Sequence, residues 1–371
     1  MTAVPTEPTE PTEPTEPTEP TEPTADRGGG VERSPTRPTS LRAGGLVVAG
    51  VLLALAAVAS LMVGSRGIPP GVVLDALLHG PSGPADTDAV IVLEQRLPRT
   101  LLGLAVGLAL GAAGALMQAL TRNPLADPGV LGVNWGASAA IVAGILLFGI
   151  TTLNGYVWFS LAGAALVAVL VYLLGATGRS GATPARLALA GTAIGASLQG
   201  VIYAVVLVDA TTFDQFRVWR VGSLTGRDPQ ALLQVLPFLV VGGLLALGLA
   251  RALNALALGE ETARALGVRV GRIRMLTGIG IVLLCGGATA ACGPIAFVGL
   301  AVPHLARVVT GPDQRWVVPW SMVLGGLLVV AADVIGRVVA IPAELEVGVV
   351  AAFVGAPVFL AIARRRRVVA L

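Results

Sequence analysis

From residue 43 to the C-terminal end, uncharged apolar runs follow one another, and almost every charge lies in the short stretches between them. A run of about 20 apolar residues crosses roughly 30 Å of hydrocarbon as an α-helix, which bonds all its backbone groups internally. The pattern predicts spans at 43–65, 96–122, 187–208, 229–250, 316–338 and 346–363. The stretch 128–178 is too long for one helix and divides at Thr151-Thr152-Leu153-Asn154-Gly155. The stretch 275–306 admits one tilted helix or two short ones. Parity decides for two, meeting at Gly293-Pro294: Arg33, Arg37 and Arg42 before the first span and the basic cluster 364–367 after the last both belong in the cytoplasm. An even number of crossings follows, and the expected fold is all-α with about ten transmembrane helices.

Composition narrows the chemistry. The chain is 54% hydrophobic and 13% charged, with a net charge of +3. It contains no lysine, so all 25 basic residues are arginines and the chain has no Walker A lysine for an ATP site of its own. Energy for transport must come from a partner chain or an ion gradient. Cys285 and Cys292 stand about 10 Å apart along a helix axis, too far to bridge, and read as packing residues. His79 and His304 alone cannot build a metal site. No cofactor, metal or nucleic acid is expected. Residues 1–42 open with Pro-Thr-Glu repeats that have nothing apolar to bury, so a disordered cytoplasmic tail is expected before a transmembrane domain at 43–371.

Local signals add detail. Gly103, Gly107 and Gly111 recur every four residues and so line one helix face, where another backbone can come close. Arg122-Asn123-Pro124 should end that helix. Gly191, Gly195 and Gln199 share a face that either packs or lines an aqueous path. The connection 209–228 is amphipathic enough for a short helix at the membrane face. In the inside loop 254–274, Glu260 and Glu261 suit a helix start and Gly267 its end. Arg96, Arg99 and Arg337 fall at outer span ends and should reach the interface or a vestibule, because arginine is costly within the bilayer. For Arg337 the alternative is an i,i+4 pair with Asp333. His304, alone in its uncharged run, should cap or pack. A likeness between Gly114–Gly132 and Gly286–Arg307, each a helix, a proline break and a helix, fits two inverted halves.

Five motifs in order, RLPRTL from Arg96, GALMQALTRNPLADPGVLGV from Gly114, LGEETARALG from Leu258, GPIAFVGLAVPHLAR from Gly293 and GAPVF from Gly355, make this chain resemble the FecCD-type permeases of bacterial ABC importers for iron-siderophores, cobalamin and haem. The resemblance implies a multi-pass protein of the bacterial cytoplasmic membrane, with both termini cytoplasmic. It would pair with a second permease chain, identical or paralogous, two ATP-binding subunits and an extracytoplasmic solute-binding protein. It further implies that Gly259, Glu260, Glu261, Arg264, Leu266 and Gly267 dock into the ATPase, and that Arg96, Arg99 and Arg337 pair with carboxylates of the binding protein. Asn123, Pro124, Gly191, Gly195, Gln199, Gly293 and Pro294 are candidates for the translocation path or its gate. The cargo implied is a ferric siderophore, with cobalamin or haem as alternatives. Ala296 and Asn134-Trp135 depart from the family's usual glycine and serine or threonine there.

Other classes fit less well. An ion-coupled secondary transporter needs charged groups at mid-membrane to hold the ion, and the uncharged runs lack them. A membrane-embedded enzyme needs a convergent nucleophile or metal set, which two cysteines and two histidines do not supply, so the chain is not expected to be an enzyme.

Overall fold

A computed structural model describes residues 38–64, 66–81, 83, 86–129, 132–177, 184–341 and 343–364. The Pro-Thr-Glu repeats, and all but the first arginine of the cluster 364–367, lie outside the described residues. Fourteen α-helices follow in order: α1 Thr39–Met62, α2 Pro70–His79, α3 Thr87–Val90, α4 Leu97–Thr121, α5 Val133–Phe148, α6 Leu153–Ala176, α7 Pro184–Val208, α8 Ala210–Arg220, α9 Ala231–Ala257, α10 Glu260–Ala265, α11 Val270–Cys292, α12 Val298–Thr310, α13 Gln314–Val339 and α14 Val347–Arg364. Among the described residues, seven apolar helices are long enough to cross a membrane. The shorter α5, α12 and α14 stand where spans three, eight and ten were expected. The polar connection 66–95 turns out to be largely helical, holding α2, α3 and a π-helical turn at Ile91–Arg96.

That π turn follows from the sequence. Pro98 has no N–H to donate and its ring crowds the turn before it. The wider turn makes room, with Leu97 N–H reaching back five residues to the Val92 carbonyl. One continuous helical rod then runs from Thr87 to Thr121. It ends where expected, at Arg122, which is left-handed with φ 48°. The second expected break also forms, at Gly293 with φ 81°.

The two short helices α5 and α12 start alike, each after a proline-containing break and each from a left-handed residue, Gly132 (φ 79°) and Phe297 (φ 67°). Phe297 bears the left-handed geometry with a bulky side chain, at a cost of roughly 1–2 kcal/mol. Its Cβ lies against Gly355, the glycine that opens GAPVF, where a methyl group would come within 2.7 Å.

α4 is the centre of the bundle and packs on α9, α11, α12 and α13. Its small residues allow this. A Cβ on Gly111 would stand 1.9 Å from the Ser321 carbonyl oxygen of α13, and one on Gly114 would stand 2.1 Å from that of Gly299 on α12. Backbone meets backbone, which in lipid supplies the dispersion contact that the hydrophobic effect supplies in water. Cys285 and Cys292 are free and buried in this core, as packing residues should be.

α1 is peripheral, and its inner contacts depend on its C-terminal end. The last carbonyls of any helix lack intrahelical donors. Here two arginines from other helices supply them. Arg96 donates from Nη1 to the carbonyls of Leu61 (2.9 Å) and Met62 (2.8 Å), and from Nη2 to that of Arg66. Arg337 donates from Nη1 to the Ser60 carbonyl at 2.8 Å and from Nη2 to the Ser60 hydroxyl at 3.2 Å. The hydroxyls of Ser60 and Thr100 lie 2.7 Å apart. Positive charge at the negative end of the α1 dipole adds to these bonds.

Two outcomes follow. Asp333→Asn removes the buried carboxylate that serves Arg99 and Arg337, so it should destabilise the folded chain by about 3 kcal/mol or more. Gly111→Val should do comparable damage through overpacking, whereas Gly50→Ala, with nothing within 4 Å of a new Cβ, should be neutral. Thermal unfolding in detergent, followed by labelling of the two buried cysteines, measures all three.

Candidate functional site

Three places on the bundle carry chemistry. The first is the end where α1 stops and α4 starts. Asp333, one turn before Arg337, bonds Arg337 Nη2 and receives Arg99 Nε at 3.0 Å and Nη2 at 2.7 Å. Arg99 points Nη1 the other way, to Glu344 Oε2 at 2.6 Å, and the Thr225 hydroxyl lies 3.4 Å from the same oxygen. Arg99 therefore has an inner edge held by a buried carboxylate and an outer tip held by a partly exposed one. A cavity of about 370 Å³ opens beside it, lined by Glu94, Arg99, Thr225, Arg227, Asp228 and Glu344 among others.

The structure brings Arg96, Arg99 and Arg337 together, yet corrects where they were expected to stand. Arg96 is 5% and Arg337 2% exposed, so neither reaches a vestibule in this conformation. Their guanidinium groups are taken by the α1 carbonyls, whose need for donors is invisible until α1 and α13 are side by side. The i,i+4 pair of Arg337 with Asp333 does form. The residues that sequence reasoning missed are Glu344 and Thr225, which approach Arg99 only through the fold.

The second place is the opposite end. α13 joins the two, since the Asp313 carboxylate at its start accepts from Asn254 of α9 at 2.6 Å and Arg337 occupies its last turn. Burial works against ionisation of Asp313, but hydrogen bonds from Arg315 and Asn254 outweigh it and hold the carboxyl below its ordinary value. Beside it α10 forms over Glu260–Ala265, with Gly259 (φ 111°) before it and Gly267 (φ 79°) after it. Glu260 ties the loop to its surroundings, accepting from Arg274 Nη2 at 2.5 Å and from Arg264 Nη2 at 3.2 Å. Ala263 is buried as the anchor, while Leu258 and Leu266 stand exposed on either side. The short charged helix is thus flanked by two projecting leucines.

The third is α7. Gly191 and Gly195 turn inward, Gly191 against Gly132 of the break before α5 and Gly195 against the Trp135 ring, where a Cβ would lie 2.9 Å from Cδ1. They let α5 and its preceding loop pack on α7, the packing alternative for these two positions. Gly293 and Pro294 likewise pack on the end of α8 and the turn after it, near Trp219 and Gly222. Asn123 folds its side chain onto its own turn, accepting from Leu125 N–H at 2.9 Å, with Pro124 half-buried next to it. Gln199 alone of the α7 set lies at the open face, with Thr192, Ala196, Ser197, Gly200 and Tyr203 exposed around it. His304 is buried on α12. Near it Arg307 donates to Gln118 Oε1, and Gln118 Nε2 donates to the Leu300 carbonyl at 3.1 Å, clasping α4 to α12.

Known proteins share this arrangement. The ferric enterobactin transport system permease protein FepD of Escherichia coli (strain K12) is 47% identical over 317 residues, 85% of this chain and 93% of that protein. The probable siderophore transport system permease protein YfiZ of Bacillus subtilis (strain 168) is 43% identical, covering 74% of this chain and 83% of its own length. Among solved structures, a metal-chelate type ABC transporter in an inward-facing conformation superimposes with a TM-score of 0.75 at 25% identity, over 87% of this chain and 99% of that one. The profile of the FecCD transport family matches residues 52–365, so a bundle of membrane-length helices with these motifs in this order belongs to that family.

Proposed function

We propose that this chain is the permease subunit of an ABC importer that carries a ferric siderophore across the bacterial cytoplasmic membrane, driven by ATP hydrolysis in partner subunits. The observation that carries this reading is α10. It is a six-residue helix held by Glu260 and offered to solvent between Leu258 and Leu266, at the end of a bundle that has no lysine for a nucleotide site of its own. Two ATP-binding subunits, one for each permease chain, receive it there, and the α10 end lies in the cytoplasm together with both termini. Relatives named for ferric enterobactin and for siderophore transport support the cargo class.

The opposite end receives the extracytoplasmic solute-binding protein. Arg99 is the docking contact, because its outer tip faces the cavity and is held by a carboxylate that a partner's carboxylate can replace. Arg96 and Arg337 keep the platform in shape beneath it. The free face of α7, with Gln199 on it, looks onto the second permease chain and the path between the two. Lipid elsewhere meets the large aliphatic side chains of α1, α6 and α9, such as Val51, Leu55, Leu170 and Leu244.

Glu260→Arg combined with Glu261→Arg should leave membrane insertion intact and abolish vanadate-sensitive uptake in proteoliposomes that contain the ATPase subunits. Normal uptake by that variant would remove α10 from the coupling role. Arg99→Lys, which keeps a cation beside Asp333 but loses the fork that also reaches outward, should weaken capture of the binding protein by about tenfold at low salt and less at high salt. Capture that is unchanged at both salt levels would move docking elsewhere on this end.

A further inference from the structure

At the mouth of the α7 face, three side chains form a group that neither docking nor packing accounts for. Arg220, the last residue of α8, lays its guanidinium 4.8 Å from the centroid of the Tyr203 ring. Its Nη2 donates to the Tyr203 phenol oxygen at 2.5 Å, and Gln199 Nε2 donates to the same oxygen at 3.2 Å. One turn back on α8, Arg217 rides over Phe213 at 5.7 Å. The acidic residues of α8 do not balance this end. Asp209 caps the helix through Thr212 N–H at 2.6 Å, and Asp214 lies 3.7 Å from Arg217. Arg220 has no carboxylate within ion-pair distance among the described residues, and Tyr203 remains 43% exposed.

An arginine on a tyrosine at the end of a span is also how a lipid-facing helix is anchored at the interface. The face below decides between the two. Leu189, Val201 and Leu207 also face outward from α7, but the outward positions between Leu189 and Val201, namely Thr192, Ala193, Ala196, Ser197 and Gly200, are small or polar, whereas α1 turns out Val47, Val48, Val51, Leu52, Leu55 and Val58 in series. Hydrocarbon offers nothing to the rest of the Gln199 amide, whose Nε2 already donates to the Tyr203 phenol.

We infer that Arg220, Tyr203 and Gln199 form a cargo-reading site for an anionic metal chelate with aromatic donor rings, a ferric tris-catecholate in chemical terms. This rests on the reading that the α7 face lines the path. A guanidinium uses only part of its five donors on one phenol, and the rest are free for the chelate's anionic oxygens in charge-assisted bonds. The exposed Tyr203 and Phe213 rings offer faces for stacking against the chelate's own rings. Gln199 and the phenol hold Arg220 in place, so little side-chain entropy is lost when cargo arrives. An uncharged ferric tris-hydroxamate of similar size gains neither the charge-assisted bonds nor the stacking.

The test uses the permease with its ATPase subunits in nanodiscs. Gly200→Cys adds a thiol where nothing lies within 4 Å of a new Cβ, while Cys285 and Cys292 are buried beyond reach of reagent. A membrane-impermeant maleimide should label this cysteine. A ferric tris-catecholate should protect it at about one-tenth the concentration needed by an uncharged ferric tris-hydroxamate, and adding Arg220→Gln should erase that difference. Arg220→Lys, which keeps the charge and loses the planar fork, should fall between. Failure to label would overturn the path reading and the site with it. Labelling with equal protection by both chelates, or a catecholate preference that survives Arg220→Gln, would overturn the site alone and leave the path standing.

Discussion

The carbonyls at the end of α1 are what the arginine end of this molecule is built around. They lie where water is scarce, and a helix end left without donors there is costly. Arg96 and Arg337 come from two other helices to satisfy them, and Asp333 makes the charge of Arg337 tolerable while holding it together with Arg99. A buried guanidinium without a carboxylate and a buried carboxylate without a guanidinium are both expensive, so each member of the group depends on the others. The group joins α1, α4 and α13 and leaves one tip of Arg99 facing outward.

α4 carries the same logic into the middle of the bundle. Glycines facing Ser321 and Gly299 let three backbones approach within contact distance, and the rod needs a π turn before Pro98 to keep its direction. Such seams hold helices in register without charge. α4, α9 and α13 each run the length of the bundle from the Arg99 end.

Charge is thus used in two ways. At one end it is mostly internal, neutralised within the chain, with the partly exposed Glu344 at the rim. At the other, Glu260 is shared by Arg264 and Arg274 while Leu258 and Leu266 stand free, so the ordered charges hold a small helix and the apolar side chains are what it presents.

The uncharged runs marked the seven membrane-length helices in advance, because charge within hydrocarbon is costly. The proline and glycine breaks at Asn123-Pro124 and Gly293-Pro294, the α10 start at Glu260 and the glycine face of α4 were legible for equally local reasons. What the arginines touch was not. Arg96 and Arg337 look alike to Arg99 in a string of letters, and only the approach of α1 and α13 shows that two of them cap α1 while the third reaches out to Glu344. Gly191 and Gly195 share a helix face with Gln199, yet α5 covers the two glycines and leaves Gln199 open. Tertiary structure decided these roles because burial and partner choice depend on which helix lies alongside, and neighbours distant in the chain leave no mark on local pattern.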